Sequence, residues 1–152
     1  MKWIILALCL VAFALADGDV FILTDENFDK TIASNSIVMV KFFAPWCGHC
    51  KALAPEYEKL AKTVKESGKK YVIAELDATV QKATAGKFGV NGYPTLKLFI
   101  DGTPIDYEGE RKLDDILAFI NKKSIPSSLK LTTDQELKDK VDSIGRRVSC
   151  VE

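Results

Sequence analysis

Ile37-Val38-Met39-Val40-Lys41-Phe42-Phe43, followed at once by Ala44-Pro45-Trp46-Cys47-Gly48-His49-Cys50, is the stretch on which the reading of this chain turns. The first seven residues are apolar on both alternating faces except at Lys41, the pattern of a strand covered on both sides, as in a parallel sheet between helices. The next seven bring two thiols, two residues apart, to the start of an amphipathic helix with Leu53, Tyr57, Leu60, Ala61 and Val64 along one side. Unpaired backbone N–H groups at a helix N-terminus favour a thiolate, and two thiols at this spacing can close into a small disulfide. The stretch reads as a redox centre.

Working outward, residues 20–23 read as a strand, and Thr24-Asp25-Glu26 opens a short helix with Phe28 and Ile32 spaced for one face. Downstream, Pro55 should kink the long helix, which ends near Ser67-Gly68. Residues 71–76 form the next buried strand, 80–88 a short helix, 89–94 a loop and Thr95 to Ile100 another strand. Asp101-Gly102 is a hairpin turn leading to an edge strand around Ile105-Asp106-Tyr107, and Leu113, Ile116, Leu117 and Ile120 mark a final helix. The order β-α-β-α-β-α-β-β-α predicts an α/β fold, a central mixed sheet flanked by helices on both faces.

The ends read differently. Met1-Lys2 is a short basic region, Trp3 to Leu15 is apolar throughout, and Ala14-Leu15-Ala16 offers a cleavage site, so residues 1–16 are expected to be a secretory signal peptide. The whole chain carries 21 basic and 21 acidic residues; the leader takes away only Lys2, which leaves 20 against 21. Neither nucleic acid nor, after leader cleavage, a membrane surface is expected as a partner. Cleavage also removes Cys9, leaving Cys47, Cys50 and Cys150, too few for a disulfide-stapled scaffold. The expected organisation is a catalytic domain over 17–123, a linker over 124–128 that composition draws from Lys122 onward, and the incomplete start of a second, similar domain with a tail over 129–152. Leu129-Lys130-Leu131-Thr132-Thr133-Asp134-Gln135-Glu136-Leu137 loosely echoes residues 21–28, but one strand and one helix cannot bury a core.

With element order and motif together, the chain resembles the thioredoxin superfamily and, within it, the protein disulfide isomerases. Residues 43–57, Phe43-Ala44-Pro45-Trp46-Cys47-Gly48-His49-Cys50-Lys51-Ala52-Leu53-Ala54-Pro55-Glu56-Tyr57, match their active-site signature, and Gly92-Tyr93-Pro94-Thr95 matches their cis-proline loop. The resemblance implies a thioredoxin fold over about 17–123, with Cys47 as the attacking nucleophile and Cys50 as the resolving thiol. Chemistry agrees, since Cys47 comes first, where its sulfur can face solvent and the helix dipole. Gly48 is expected to permit a tight turn and His49 to stabilise the thiolate, making the disulfide more oxidising. Pro94, cis by resemblance, would place backbone beside Cys47 for an extended client, with Trp46 and Tyr93 supplying apolar contact; either ring could equally be packing. Arg111 matches a mobile arginine thought to swing towards the resolving thiol; a solvated surface side chain is the alternative.

One position departs from the family. Where a buried glutamate usually stands six residues before the first active-site cysteine, this chain has Lys41, and the lysine expected on the neighbouring strand is replaced by Glu75. A paired exchange is physically easier than either change alone, because an unpaired buried charge is costly. Glu75 would then inherit the role of proton acceptor; the alternative is that both side chains turn outward and never meet.

The expected function is an oxidoreductase that forms, reduces and isomerises disulfides in unfolded or misfolded secretory proteins of the endoplasmic reticulum lumen, recycled by an oxidant or glutathione. Retention there is open, because Val151-Glu152 is not a retention signal. No cofactor is expected beyond the Cys47–Cys50 disulfide. The alternatives are a redox-assisted chaperone or client-binding module, a weakly active truncated isoform, and a zinc site from Cys47, His49, Cys50 and Cys150, which the position of His49 between the thiols disfavours.

Overall fold

The computed structural model describes residues 19–124; the expected leader, the 125–128 part of the linker, the second-domain start and Cys150 lie outside them. The elements are β1 (Phe21–Leu23), α1 (Phe28–Ser34), β2 (Ile37–Phe43), α2 (Gly48–Glu66), β3 (Tyr71–Asp77), α3 (Lys82–Lys87), β4 (Thr95–Ile100), β5 (Thr103–Tyr107) and α4 (Leu113–Ser124). They form one five-stranded sheet in the order β1-β3-β2-β4-β5. β1 and β2 run parallel to β3, while β4 runs antiparallel to β2 and β5 to β4. The sheet is therefore mixed, and β2 lies at its centre.

Alternation along β2 sends its side chains into two cores. Val38, Val40 and Phe42 pack with Phe28 and Ile32 of α1, Ala85 of α3, and Phe99. Phe28, Phe88 and Phe99 meet at centroid distances of 5.2–5.5 Å; burying one such ring stabilises a fold by roughly 1.5–3 kcal/mol. On the opposite face Met39 packs with Leu53, Tyr57, Leu60, Ala61 and Val64 of α2 and with Ile116 and Ile120 of α4. Helices thus cover both faces of the sheet, the thioredoxin arrangement that the resemblance implies.

The hairpin turn has φ of 47° at Asp101 and 84° at Gly102. Two successive left-handed residues are what a two-residue turn needs to match strand twist, which is why Asp-Gly marks one. α2 carries Pro55 within its 19 residues. Two expectations shift. β1 and α3 are shorter than predicted, and only Leu23 of β1 is buried, because an edge strand has one neighbour. α4 continues through Lys122, Lys123 and Ser124, which composition had assigned to the linker; the Ser124 hydroxyl lies 3.0 Å from that of Tyr71, tying the helix end to β3.

Candidate active site

β2 ends at Phe43, and four residues turn the chain into α2. The Cys47 N–H donates to the Ala44 carbonyl at 3.1 Å, closing that turn. Cys47 is the N-cap of α2 with extended backbone (φ −74°, ψ 115°), and its Sγ accepts the Cys50 N–H at 3.2 Å. A side-chain acceptor at the N-cap satisfies one of the donors a helix start leaves open, a place usually taken by Ser, Thr, Asp or Asn. Here the cap is the sulfur nucleophile itself.

The two thiols are driven apart electrostatically. Cys47 is held below the ordinary thiol value by the hydrogen bond from the Cys50 side chain, assisted by the N–H groups of Cys50 and His49 and the positive charge of Arg111, and opposed by partial burial. Cys50 is pushed up, first by burial and then by its hydrogen bond to Cys47; the Ala44 N–H and the charge of Lys41 pull the other way. The thiolate is thus favoured at Cys47 and the protonated thiol at Cys50, the nucleophile being the thiolate form. Cys47 is 7 % exposed and Cys50 4 %, so the expectation of a sulfur facing solvent is corrected. Its surroundings are Cys50, Ala44, Phe43 and Tyr93, with the Tyr93 carbonyl 3.5 Å from Sγ.

Tyr93–Pro94 is a cis peptide, as the resemblance implies. Trp46 and Tyr93 meet edge to face at 5.9 Å, but their environments differ. Trp46 is 71 % exposed, which excludes packing as its role, whereas Tyr93 is half-buried against both the thiol cluster and one of the cores. Arg111 is exposed in the segment before α4 and its charge is felt at Cys47. The Glu56 carboxylate accepts the Leu113 N–H at 3.4 Å and so ties the start of α4, beside Arg111, to α2.

Gly48 and His49 act differently from the reading of their side chains. A Cβ at Gly48 would meet nothing within 4 Å, and its φ lies outside the left-handed range, so no tight turn demands glycine there. His49 is exposed, and its backbone N–H is one of the smaller influences that favour the Cys47 thiolate.

Lys41 and Glu75 do meet. They face each other in the β2–β3 register, and Lys41 Nζ lies 2.7 Å from Glu75 Oε2. Their side chains are 5 % and 27 % exposed. Lys41 Nζ also sits over the rings of Tyr57 at 4.8 Å and Phe43 at 5.3 Å. Tyr57 is a participant that sequence reasoning placed only in the helical stripe. Its buried hydroxyl donates towards the Met39 and Ala74 carbonyls, each at 2.9 Å, spanning β2 and β3. The available signal was its position seven residues after Cys50 on the same helix face. Among the described residues no group of three or more His, Cys, Asp or Glu side chains could hold a metal ion.

Comparison with known proteins agrees with this geometry. The thioredoxin family model matches residues 19–122. The chain belongs to the thioredoxin family. Within the family its relatives are protein disulfide-isomerases: it is 43 % identical to that of Drosophila melanogaster over 91 % of this chain and 31 % of the relative. It is 46 % identical to protein disulfide-isomerase A4 of Bos taurus over 73 % of this chain and 17 % of the relative. The solution structure of the first thioredoxin domain of mouse protein disulfide-isomerase A4 superposes with a TM-score of 0.67 at 44 % identity, over 72 % of this chain and 78 % of that domain. The chain thus spans less than a third of the length of these two curated relatives and most of that thioredoxin domain.

Proposed function

We propose that this chain is a protein thiol–disulfide oxidoreductase that forms, reduces and rearranges disulfides in unfolded or misfolded client proteins of the secretory pathway, in the endoplasmic reticulum lumen. The observation that carries this reading is the division of labour at the start of α2: Cys47 caps the helix with a thiol lowered below its ordinary value, and Cys50, one turn inside, is raised. Cys47 thiolate attacks a client disulfide, giving a mixed disulfide and a client thiolate. Cys50 then displaces the client and leaves the Cys47–Cys50 disulfide, which runs in reverse to oxidise dithiols or is reset by glutathione or another redox partner. Exposed Trp46 beside Tyr93 and Pro94 gives an extended client an apolar surface next to the sulfur.

Roles are tested by trapping. Cys47→Ser should abolish insulin reduction and trap nothing, whereas Cys50→Ser should still attack but accumulate mixed disulfides on non-reducing gels. Equal trapping by both variants would reverse or dissolve the assignment. Retained client binding together with unchanged client folding in the double serine variant would favour a client-binding module over an enzyme.

A further inference from the structure

The chain has four asparagines, Asn27, Asn35, Asn91 and Asn121, and three of them are held in place. Asn27 Oδ1 accepts the Thr24 N–H at 2.8 Å, and the N–H that follows it, that of Phe28, donates to the Thr24 carbonyl at 3.0 Å. The Asn35 amide donates to the Thr31 carbonyl at 2.8 Å. Asn121 lies inside α4, where its Oδ1 accepts from Lys69 Nζ. Asn91 alone has a side-chain amide without a hydrogen-bond partner among the described residues, and it alone is followed by glycine. Both Asn91 and Gly92 are exposed and lie outside every helix and strand. The Gly92 carbonyl accepts the Thr95 hydroxyl at 2.8 Å, but the Gly92 N–H makes no hydrogen bond to the described residues, and a Cβ at Gly92 would meet nothing within 4 Å. Asn-Gly commonly closes a hairpin, where a strand ladder pins it; here it joins α3 to β4, and no ladder does so.

We propose that Asn91–Gly92 is a self-modification site, at which the chain converts its own asparagine into an aspartyl or isoaspartyl residue in the loop that runs up to the thiols. Water is the only co-reactant. The Gly92 nitrogen gives up its proton to solvent and attacks Asn91 Cγ. The Cγ–Nδ2 bond breaks, and Nδ2 takes up a proton and leaves as ammonia. Water then opens the succinimide ring: cleavage of the bond from nitrogen to Cγ gives aspartate, and cleavage of the bond from nitrogen to the main-chain carbonyl gives isoaspartate, whose backbone runs through Cβ and Cγ. Asn91 meets the needs of this reaction together, with an unanchored amide, an uncommitted nitrogen and no side chain on the residue that supplies it. The consequence reaches the site because Tyr93 is the next residue but one. Its carbonyl lies 3.5 Å from Cys47 Sγ, and its ring packs on the thiol cluster and meets Trp46. Both products put a negative charge where the chain had a neutral amide, which opposes a thiolate, and isoaspartate also adds a carbon to the main chain that positions Tyr93. The modification itself needs no exchange chemistry; its effect on exchange rests on the function proposed above.

The test ages the full chain at neutral and mildly alkaline pH, folded in buffer and unfolded in urea. Peptide digests are read by mass spectrometry, and isoaspartate is labelled with an isoaspartyl methyltransferase. In the folded chain Asn91 should lose its amide before Asn27, Asn35 and Asn121, and faster as pH rises, since the attacking nitrogen must first be deprotonated. Gly92→Ala, whose methyl enters open space, should keep the fold and slow the conversion. Asn91→Gln, which would have to close a larger ring, should abolish it over the same interval. In single-turnover reduction of a disulfide peptide, the fast phase of the aged wild type should shrink by the fraction modified, whereas Asn91→Gln should react alike fresh and aged. An Asn91 that stays intact in the folded chain while it converts in urea would overturn the proposal, as would one that converts no sooner than Asn35. An aged chain that carries isoaspartate yet reacts wholly at the fresh rate would overturn the link to the thiols. Failure of the exchange reading would show differently, as a chain in which Asn91 converts but neither fresh nor aged protein reduces the peptide.

Discussion

Breaking the Lys41–Glu75 pair from its two ends should cost unequal amounts, and the inequality follows from where each charge sits. Glu75→Gln leaves Lys41, 5 % exposed, as a cation without its carboxylate against Tyr57 and Phe43. Removing one partner of a buried pair costs about 3–5 kcal/mol when the survivor cannot rehydrate. Lys41→Met instead leaves Glu75, whose side chain is 27 % exposed and can recover water, while methionine fills much of the lysine stem's space with apolar atoms. We expect that change to cost about 1–2 kcal/mol, since much of the buried-charge penalty is relieved by solvent. The gap of about 2 kcal/mol corresponds to roughly 8–16 °C in melting temperature for a domain of this size. Removing both charges together should recover part of the Glu75→Gln loss, because an apolar replacement of a buried pair is often close to neutral. Thermal and urea denaturation of the reduced full chain, with the four proteins of the cycle side by side, reads all three quantities. A Lys41→Met protein as unstable as Glu75→Gln, or additive single losses in the double variant, would refute the argument from burial.

Gly48→Ala should leave the reduced protein folded with a change below about 1 kcal/mol, since its Cβ enters open space on the first turn of α2; a larger fall in melting temperature would mean that the turn does depend on glycine. Tyr57→Phe removes the hydroxyl shared by the Met39 and Ala74 carbonyls and should cost about 1–3 kcal/mol in urea denaturation. Asp25 accepts from the Thr84 N–H at 2.9 Å and from its hydroxyl, which holds its carboxyl below the usual range. Its contribution is therefore present above the unfolded value of about 3.9 and lost as pH falls through the lower folded value, so Asp25→Asn should flatten the acid limb of a melting-temperature curve below about pH 4.

β2 and β4 were legible to the residue because each is a sustained apolar run ended by turn chemistry, Ala44-Pro45 after one and Asp101-Gly102 after the other. The short elements were read too long: periodicity over four to eight residues cannot show where pairing stops, which for β1 depends on a single neighbouring strand. Lys122 and Lys123 look like linker by composition, yet Ile116 and Ile120 carry the helix past them. At the site, the thiols, Trp46 and Pro94 are local motifs and were visible. The Lys41–Glu75 partnership came from resemblance, since only the strand register, a tertiary fact, joins residues 34 positions apart. Tyr57 was seen as core and missed as a bridge because the carbonyls it reaches belong to two other strands. Gly48 was misjudged because the turn into α2 is made at residues 44–47, before the glycine.

At the cap of α2 one atom holds two offices. Cys47 Sγ is both the electron donor of the reaction and the acceptor that receives the Cys50 N–H. Every bond that sulfur makes to a client or to Cys50 draws on the same lone-pair density that anchors the helix start, so the first turn of α2 carries a record of the covalent state of the site. The Cys50 amide should therefore exchange its proton at a rate that changes from thiolate to mixed disulfide to closed disulfide. Isotope labelling of that single peptide group would follow turnover from the backbone, with no probe attached to either sulfur.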